Sequence, residues 1–196
     1  DIQNSGERLH RLIRNFLIYS QLELLTVEPE RLAAMRNSTP SSFRKVCMEV
    51  AERVADKHNR RADLVLDTVS GGVAMSDQNL SKLCEELIDN AFTFSEPGKL
   101  VELRSKLTDG KLWFTVSDEG CGIPVETLES LRSANQFERL FGEKRTMGLG
   151  LAIAIKLAEV HQGRAIIQSQ QGTGTSILVE LPLAPTSGDA TKPAEA

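Results

Sequence analysis

An α/β fold is what this 196-residue sequence predicts, and three observations carry the prediction. Four segments repeat apolar residues at three-four spacing, the period of a helix with one buried face. Between and after them lie runs alternating apolar and polar residues, the period of half-buried strands. Glycine pairs then stand where a strand ends, at Gly120 and Gly122, and where a helix opens, at Gly148 and Gly150.

Composition excludes several classes of function. The 40% hydrophobic and 26% charged content is ordinary for a soluble globular protein. A net charge of −4, with the basic residues scattered, argues against a nucleic-acid surface. No apolar run approaches the ~18–20 residues of a membrane span, and no signal peptide opens the chain. Cys47, Cys84 and Cys121 are odd in number and lack CxxC spacing, which disfavours zinc and a disulfide framework. The expectation is a cytoplasmic fragment or module with buried free thiols.

In chain order, residues 2–25 read as a helix with Ile2, Leu9, Leu12, Phe16 and Tyr19 on one stripe, widened by Ile13 and Leu17. One helix cannot bury so broad a stripe, so a partner helix is expected. Pro29 and the polar run at 37–42 mark residues 29–41 as a linker. Ser41 or Ser42 is placed to cap a helix reaching about His58, with Val46, Val50, Ala51 and Val54 inward. His58, beside Arg60 and Arg61, reads as solvated. Residues 63–69 alternate as a strand, and Gly71-Gly72 turns toward a helix that begins at Ser76 or Asp77.

That helix turns Leu80, Leu83, Cys84, Leu87, Ile88 and Ala91 inward. Glu86 and Asn90, four apart, stack at the margin of this face. A carboxylate and an amide there suit an oxygen-ligand site for Mg²⁺ or the positioning of water. The plainer alternative is a solvated acidic flank, since Glu85 and Asp89 are neighbours. Glu96-Pro97-Gly98 stops the helix. Strands at 99–107 and 111–118 follow, joined through Asp109-Gly110, a strong hairpin signal. Trp113, a strand aromatic, is expected in the core.

Asp118 ends its strand, where a side chain can face a cleft, and Gly120 and Gly122 let backbone approach a ligand. Gly148 and Gly150 open a helix at Leu149, where free amides and the helix dipole suit a phosphate. The spacing is not that of a Rossmann fingerprint, and the Lys-Ser/Thr of a P-loop is missing. Between the two boxes, Phe137 and Phe141 could anchor a loop whose Arg139, Lys144 and Arg145 close over an anion. Two last strands, RAIIQSQ and TSILVELP, are joined by a turn at 171–174, and residues 184–196 are expected to be disordered.

ELIDNAFTFS, DEGCGIP, FERLF, GLGLAIA and GTGT, in this order over about residues 39–183, resemble the ATP-binding domain of sensor histidine kinases. That domain belongs to a wider superfamily with DNA gyrase, Hsp90 and MutL. RLHRLIRNFLIYSQLE is similar to the second helix of the kinase dimerisation domain. The resemblance implies a layered sandwich of the Bergerat type: a mixed sheet covered by helices on one face, with a lid. It divides the chain into a partial dimerisation helix at 1–28 and an ATP-binding catalytic domain at 42–183.

The resemblance also implies roles. Asn90 would bind the Mg²⁺ that bridges the ATP phosphates, and Asp118 would accept a hydrogen bond from the adenine amino group. Gly120, Gly122 and Ile123 would shape the adenine pocket, with Gly174 and Thr175 at its end. Gly148, Leu149, Gly150 and Leu151 would present the phosphate-binding turn, and Lys144 and Arg145 the lid charge. The implied activity is transfer of the γ-phosphoryl group to a histidine, in a homodimer that serves a response regulator receiver domain.

Several departures matter. Glu86 stands where most kinases have a first asparagine, Thr93 where a lysine or histidine is common, and Gly142 where an arginine often contacts phosphate. In gyrase and Hsp90 types a glutamate at the first of these is the general base for water attack, so an ATP-hydrolysing switch is an alternative. A non-catalytic nucleotide-binding scaffold is another. The phosphoacceptor motif is absent: His10, His58 and His161 fall in other elements. The expectation is therefore a fragment that binds ATP and depends on a histidine elsewhere.

Overall fold

The structure is a computed structural model that describes residues 2–36, 39–126, 128 and 149–185. In chain order it comprises α1 (Ile2–Thr26), α2 (Pro29–Arg36), β1 (Ser41–Ser42), α3 (Phe43–Lys57), a short 3₁₀ turn (Arg61–Asp63), β2 (Leu64–Asp67) and β3 (Gly72–Val73). These are followed by α4 (Asp77–Phe94), β4 (Val101–Thr108), β5 (Lys111–Asp118), α5 (Leu149–Val160), β6 (Arg164–Gln170) and β7 (Gly174–Pro182). Five strands form one mixed sheet in the order β2-β4-β5-β7-β6, parallel only between β2 and β4. The expected layered α/β sandwich is present, with the N-terminal helix beside it.

Strand parity decides the core. Val101 and Leu103 of β4, Leu112, Phe114 and Val116 of β5, and Ile177, Val179 and Leu181 of β7 are buried on the face covered by α3, α4 and α5. The β4–β5 hairpin closes through Asp109 (φ 52°) and Gly110 (φ 69°), the left-handed pair its Asp-Gly dipeptide favours. Trp113 is not in this core. It lies on the opposite face, paired in register with Glu180 and covered by the Arg164 guanidinium 5.4 Å from its ring. Leu112 and Phe114 hold the inward parity because Phe114 packs on Phe43, with ring centroids 5.0 Å apart.

Helix starts follow local chemistry. Ser76 caps α4 by accepting a hydrogen bond from the Asn79 N–H. Ser42 occupies the cap position of α3 without a side-chain cap, and the neighbouring Ser41 hydroxyl donates to the Met75 carbonyl at 2.7 Å. His58 is not solvated: it stacks on Phe92 and lies 2.9 Å from Asp89. Residues 29–41, read as a linker, include α2, whose Arg36 donates to the last carbonyl of α5, that of Val160, at 2.6 Å. Of the tail, residues 186–196 lie outside the described residues.

Helix α1 divides its apolar residues between two sides. Tyr19 and Leu22 are buried against the domain, with Glu23 paired to Lys156 of α5 at 2.9 Å. Leu9, Leu12, Ile13 and Leu17 are each at least half exposed. The broad stripe thus covers the domain with one edge and leaves the other open.

Candidate functional site

The C-terminal half of α4, the end of β5 and the β6–β7 turn enclose a cavity of about 210 Å³. Leu87, Asn90, Ala91 and Phe94 contribute from α4, spaced so that one helical edge runs along the wall. Val116 and Asp118 come from β5, Ile123 and Pro124 from the loop that follows, and Thr175 and Ile177 from β7. The lining is mainly apolar with a few convergent polar groups, the usual make-up of a small-molecule site.

Asp118 is the charged group of this wall. Its Oδ1 accepts the Gly120 N–H at 2.8 Å, and the Thr175 N–H supports it from β7. Burial pushes its carboxyl above the ordinary value of 3.8, against the lowering effect of those two donors. The backbone around it has no room for side chains. A Cβ on Gly120 would stand 2.2 Å from the Phe94 carbonyl oxygen, and one on Gly174 would stand 2.0 Å from the Asp118 carbonyl oxygen. Gly122, at φ +65°, approaches the Gln170 carbonyl in the same way.

A hydroxyl ties the two loops together. Ser169 Oγ accepts the Ile123 N–H at 2.8 Å, lies 2.9 Å from the Gly174 carbonyl and meets Thr175 Oγ1 at 2.9 Å. The Gly172 N–H donates to the Cys121 carbonyl at 2.8 Å, and the Cys121 N–H donates to the Phe94 carbonyl at 3.1 Å. Gln171 and Ser169 carry no motif of their own. Only the pairing of β7 with both β5 and β6 brings them to the site.

Of the residues expected from the sequence, the fold gathers Asn90, Asp118, Gly122, Ile123 and Thr175 on the cavity and places Gly120 and Gly174 immediately behind it. Leu149 and Gly150 open α5, whereas the side chain of Leu151 is buried in the core. Lys144, Arg145 and Gly148, with Arg139, Phe137, Phe141 and Gly142, lie outside the described residues. Glu86 does not line the cavity. Its Oε1 pairs with Lys82 and accepts from Asn15 of α1 at 3.4 Å, and its Oε2 abuts Gly150, where only a hydrogen fits.

Neighbouring Asp89 turns toward α1 and α3, meeting Arg11 at 2.8 Å, and Lys57 and His58 each at 2.9 Å. Burial raises its pKa, but these partners outweigh that and hold the carboxyl below 3.8. Among the described residues no cluster of three or more His, Cys, Asp or Glu could hold a metal. Asn90 remains as a single amide oxygen at the cavity edge, and that suits an ion completed by phosphate and water.

A sheet with helices on one face and a half-buried carboxylate in an apolar, glycine-rimmed cavity defines a nucleotide-binding class of domain. The family described as "Histidine kinase-, DNA gyrase B-, and HSP90-like ATPase" matches residues 75–185, and the chain belongs to it. An uncharacterised sensor-like histidine kinase of Rhizobium meliloti is 29% identical over 92% of this chain and 34% of its own length. The histidine protein kinase DivJ of Caulobacter vibrioides is 30% identical over 93% of the chain and 30% of its own length. The chain thus spans about a third of these relatives. Among solved structures, the mycobacterial sensor histidine kinase MprB aligns with TM-score 0.59 at 28% identity, covering 76% of this chain and 99% of that one. The Acinetobacter baumannii histidine kinase AdeS aligns with TM-score 0.68 at 22% identity over 92% of this chain and 81% of that one, a likeness of fold.

Proposed function

We propose that the chain works as the ATP-binding catalytic module of a two-component histidine kinase and passes the γ-phosphoryl group of ATP to a histidine on a dimerisation domain. The observation that carries this reading is the half-buried Asp118 carboxylate at the wall of the 210 Å³ cavity. A carboxylate held by two backbone donors, with lone pairs left over, can accept from an exocyclic amino group while Val116, Ile123 and Ile177 cover a flat ring. The α4 edge then leads from the ring toward Asn90 and the opening of α5, where Leu149 and Gly150 offer backbone amides to phosphate oxygens.

Mg²⁺ bound there would neutralise charge on the transferring phosphoryl group. Asn90 would supply its protein oxygen. Lys144 and Arg145 would add cations from the segment before α5. Phosphoryl transfer asks the protein chiefly for positioning and charge, so no nucleophile need come from this chain. The name of the Rhizobium meliloti relative, a sensor-like histidine kinase, supports this class of reaction. On this reading the chain acts in the cytoplasm, pairs through α1 as a homodimer and serves a receiver domain. Among the described residues no helix is long and apolar enough to cross a membrane.

Hydrolysis with Glu86 as base is the second reading, and its geometry is poorer, since Lys82 and Asn15 hold that carboxylate off the cavity. The test is to supply labelled Mg·ATP with and without a separate acceptor-helix domain. Label on the acceptor, lost in Asn90→Ala and Asp118→Ala, is expected. Free phosphate that disappears in Glu86→Gln would favour the hydrolytic switch instead. Absence of nucleotide binding by the parent would overturn both.

A further inference from the structure

Arg60 lies far from the cavity in sequence and outside every motif, yet it is buried, at 7% exposure. A buried guanidinium needs a partner for each donor, and this one has them. Its Nε donates to Asp63 at 2.7 Å; Nη1 donates to the carbonyls of Phe92 and Ser95 at 2.9 and 2.8 Å and reaches Ser95 Oγ at 3.1 Å. Nη2 donates to the carbonyls of Glu96 and Lys99 at 2.7 and 2.9 Å. The group also stands 5.0 Å from the centre of the Phe92 ring. Asp63, which orients it, accepts the Gly98 N–H at 2.9 Å as well.

These acceptors are the loose carbonyls at the end of α4 and of the turn after it. Helix ends leave such groups without intrahelical partners, and one side chain from another element gathers four of them here. Between Phe92 and Ser95 lies Phe94, whose side chain lines the cavity and whose carbonyl accepts the Cys121 N–H. The same carbonyl stands so close to Gly120 that a Cβ there would be 2.2 Å away. The height of the α4 terminus therefore sets where the Asp118–Gly122 loop can lie.

We infer that Arg60 is a positioning residue for nucleotide binding: it fixes the end of α4, and through the Phe94 carbonyl it fixes the loop that carries Asp118. The inference rests on the reading of the cavity as the nucleotide site. Lysine cannot replace it, because a single ammonium with three donors cannot span carbonyls on both sides of a planar fork. Displacing a binding wall by about an ångström costs one to two orders of magnitude in productive geometry.

The experiment compares wild type, Arg60→Lys and Asp63→Asn by calorimetric titration with Mg·ATP, at a temperature where circular dichroism shows each variant folded. Amide exchange at Cys121 is measured in parallel. Expected are an affinity for Mg·ATP at least about tenfold weaker in Arg60→Lys, about threefold weaker in Asp63→Asn, and faster exchange of the Cys121 amide in both. A merely structural role would lower the melting temperature while leaving the folded protein's affinity and the Cys121 amide unchanged. Either folded variant with wild-type affinity overturns the inference, and Asp63→Asn alone decides it if Arg60→Lys does not fold. A wild type that binds no Mg·ATP removes the nucleotide reading itself, a result distinct from both.

Discussion

Gly122→Ala is the sharpest test of how the cavity wall is built. Gly122 has φ +65°, and an added Cβ would stand 2.1 Å from the Gln170 carbonyl oxygen and 2.7 Å from its carbon. Both atoms are backbone, and Gln170 is fixed by its pairing with Gly174 and by the Thr173 N–H at 3.0 Å. Relief requires the loop to shift by roughly an ångström. Left-handed backbone costs alanine about 1–2 kcal/mol, and forcing a methyl into a packed site costs about 1–3 kcal/mol more. Gly172, on the facing turn, separates the two contributions: its φ is +79° but nothing lies within 4 Å of its Cβ position. Gly172→Ala should therefore cost only the backbone contribution, about 1–2 kcal/mol, and Gly122→Ala about 2–5 kcal/mol. Urea denaturation of the protein gives the stabilities, and titration with Mg·ATP reads the wall, with Gly122→Ala expected to bind at least about tenfold more weakly. Equal losses of stability and affinity in the two variants would refute the close approach.

Further outcomes follow from the charges. On the proposed reading Asp118 accepts from an amino group more strongly when ionised, and its pKa is raised above 3.8, so ATP affinity should fall as pH drops through that raised value. With a folded pKa above the unfolded one, this group's own contribution to stability runs the other way, rising as pH falls through the folded value; the difference between wild type and Asp118→Asn across an acid titration measures both. Asp89 has its pKa below 3.8, so its contribution is present at neutral pH and is lost as pH falls through that depressed value. Asp89→Asn should lower stability by about 1–3 kcal/mol at pH 7 and flatten the acid limb of the stability curve. Arg11→Ala, whose side chain is 59% exposed, should cost under about 1 kcal/mol. An unchanged acid limb in Asp89→Asn would show that its three partners contribute nothing.

Where sequence and structure agree, the cause is local. Asp109-Gly110 needs left-handed backbone, Ser76 needs a free N–H two to three residues on, and the glycines around Asp118 need the absence of a Cβ. Each requirement is met within a few residues and is visible in a string. Apart from α2, a local helix in the expected linker, the disagreements are long-range. KLWFTV carries bulky residues at both parities, and only the packing of Phe114 on Phe43 sends Trp113 to the open face. His58 and Arg60 look like a solvated basic patch until α4 brings Asp89 to one and a row of carbonyls to the other. In the same way Gln171 lines the cavity, and Ser169 holds the loop behind it, only because β7 pairs with β5 and β6 together.

The two readings of Glu86 separate on how α4 distributes its faces. Residues 87, 90, 91 and 94 share the edge toward the cavity, whereas 82, 86 and 89 turn toward α1. A base that activates water beside a terminal phosphate must bring an oxygen within hydrogen-bond reach of it. Glu86 has Oε1 engaged by Lys82 and Asn15 and Oε2 lodged against Gly150 in the first turn of α5, where a helix dipole favours negative charge. Its side chain is only 12% exposed, and freeing it would leave the Lys82 ammonium with the neutral Asn15 Oδ1 in place of a carboxylate. It would also break the contact that helps to hold α1 on the domain. Packing therefore disfavours hydrolysis while α1 is docked. Because Glu86 is one turn from Asn90 and is held by a residue of α1, the position of α1 bears directly on the Asn90 end of the cavity.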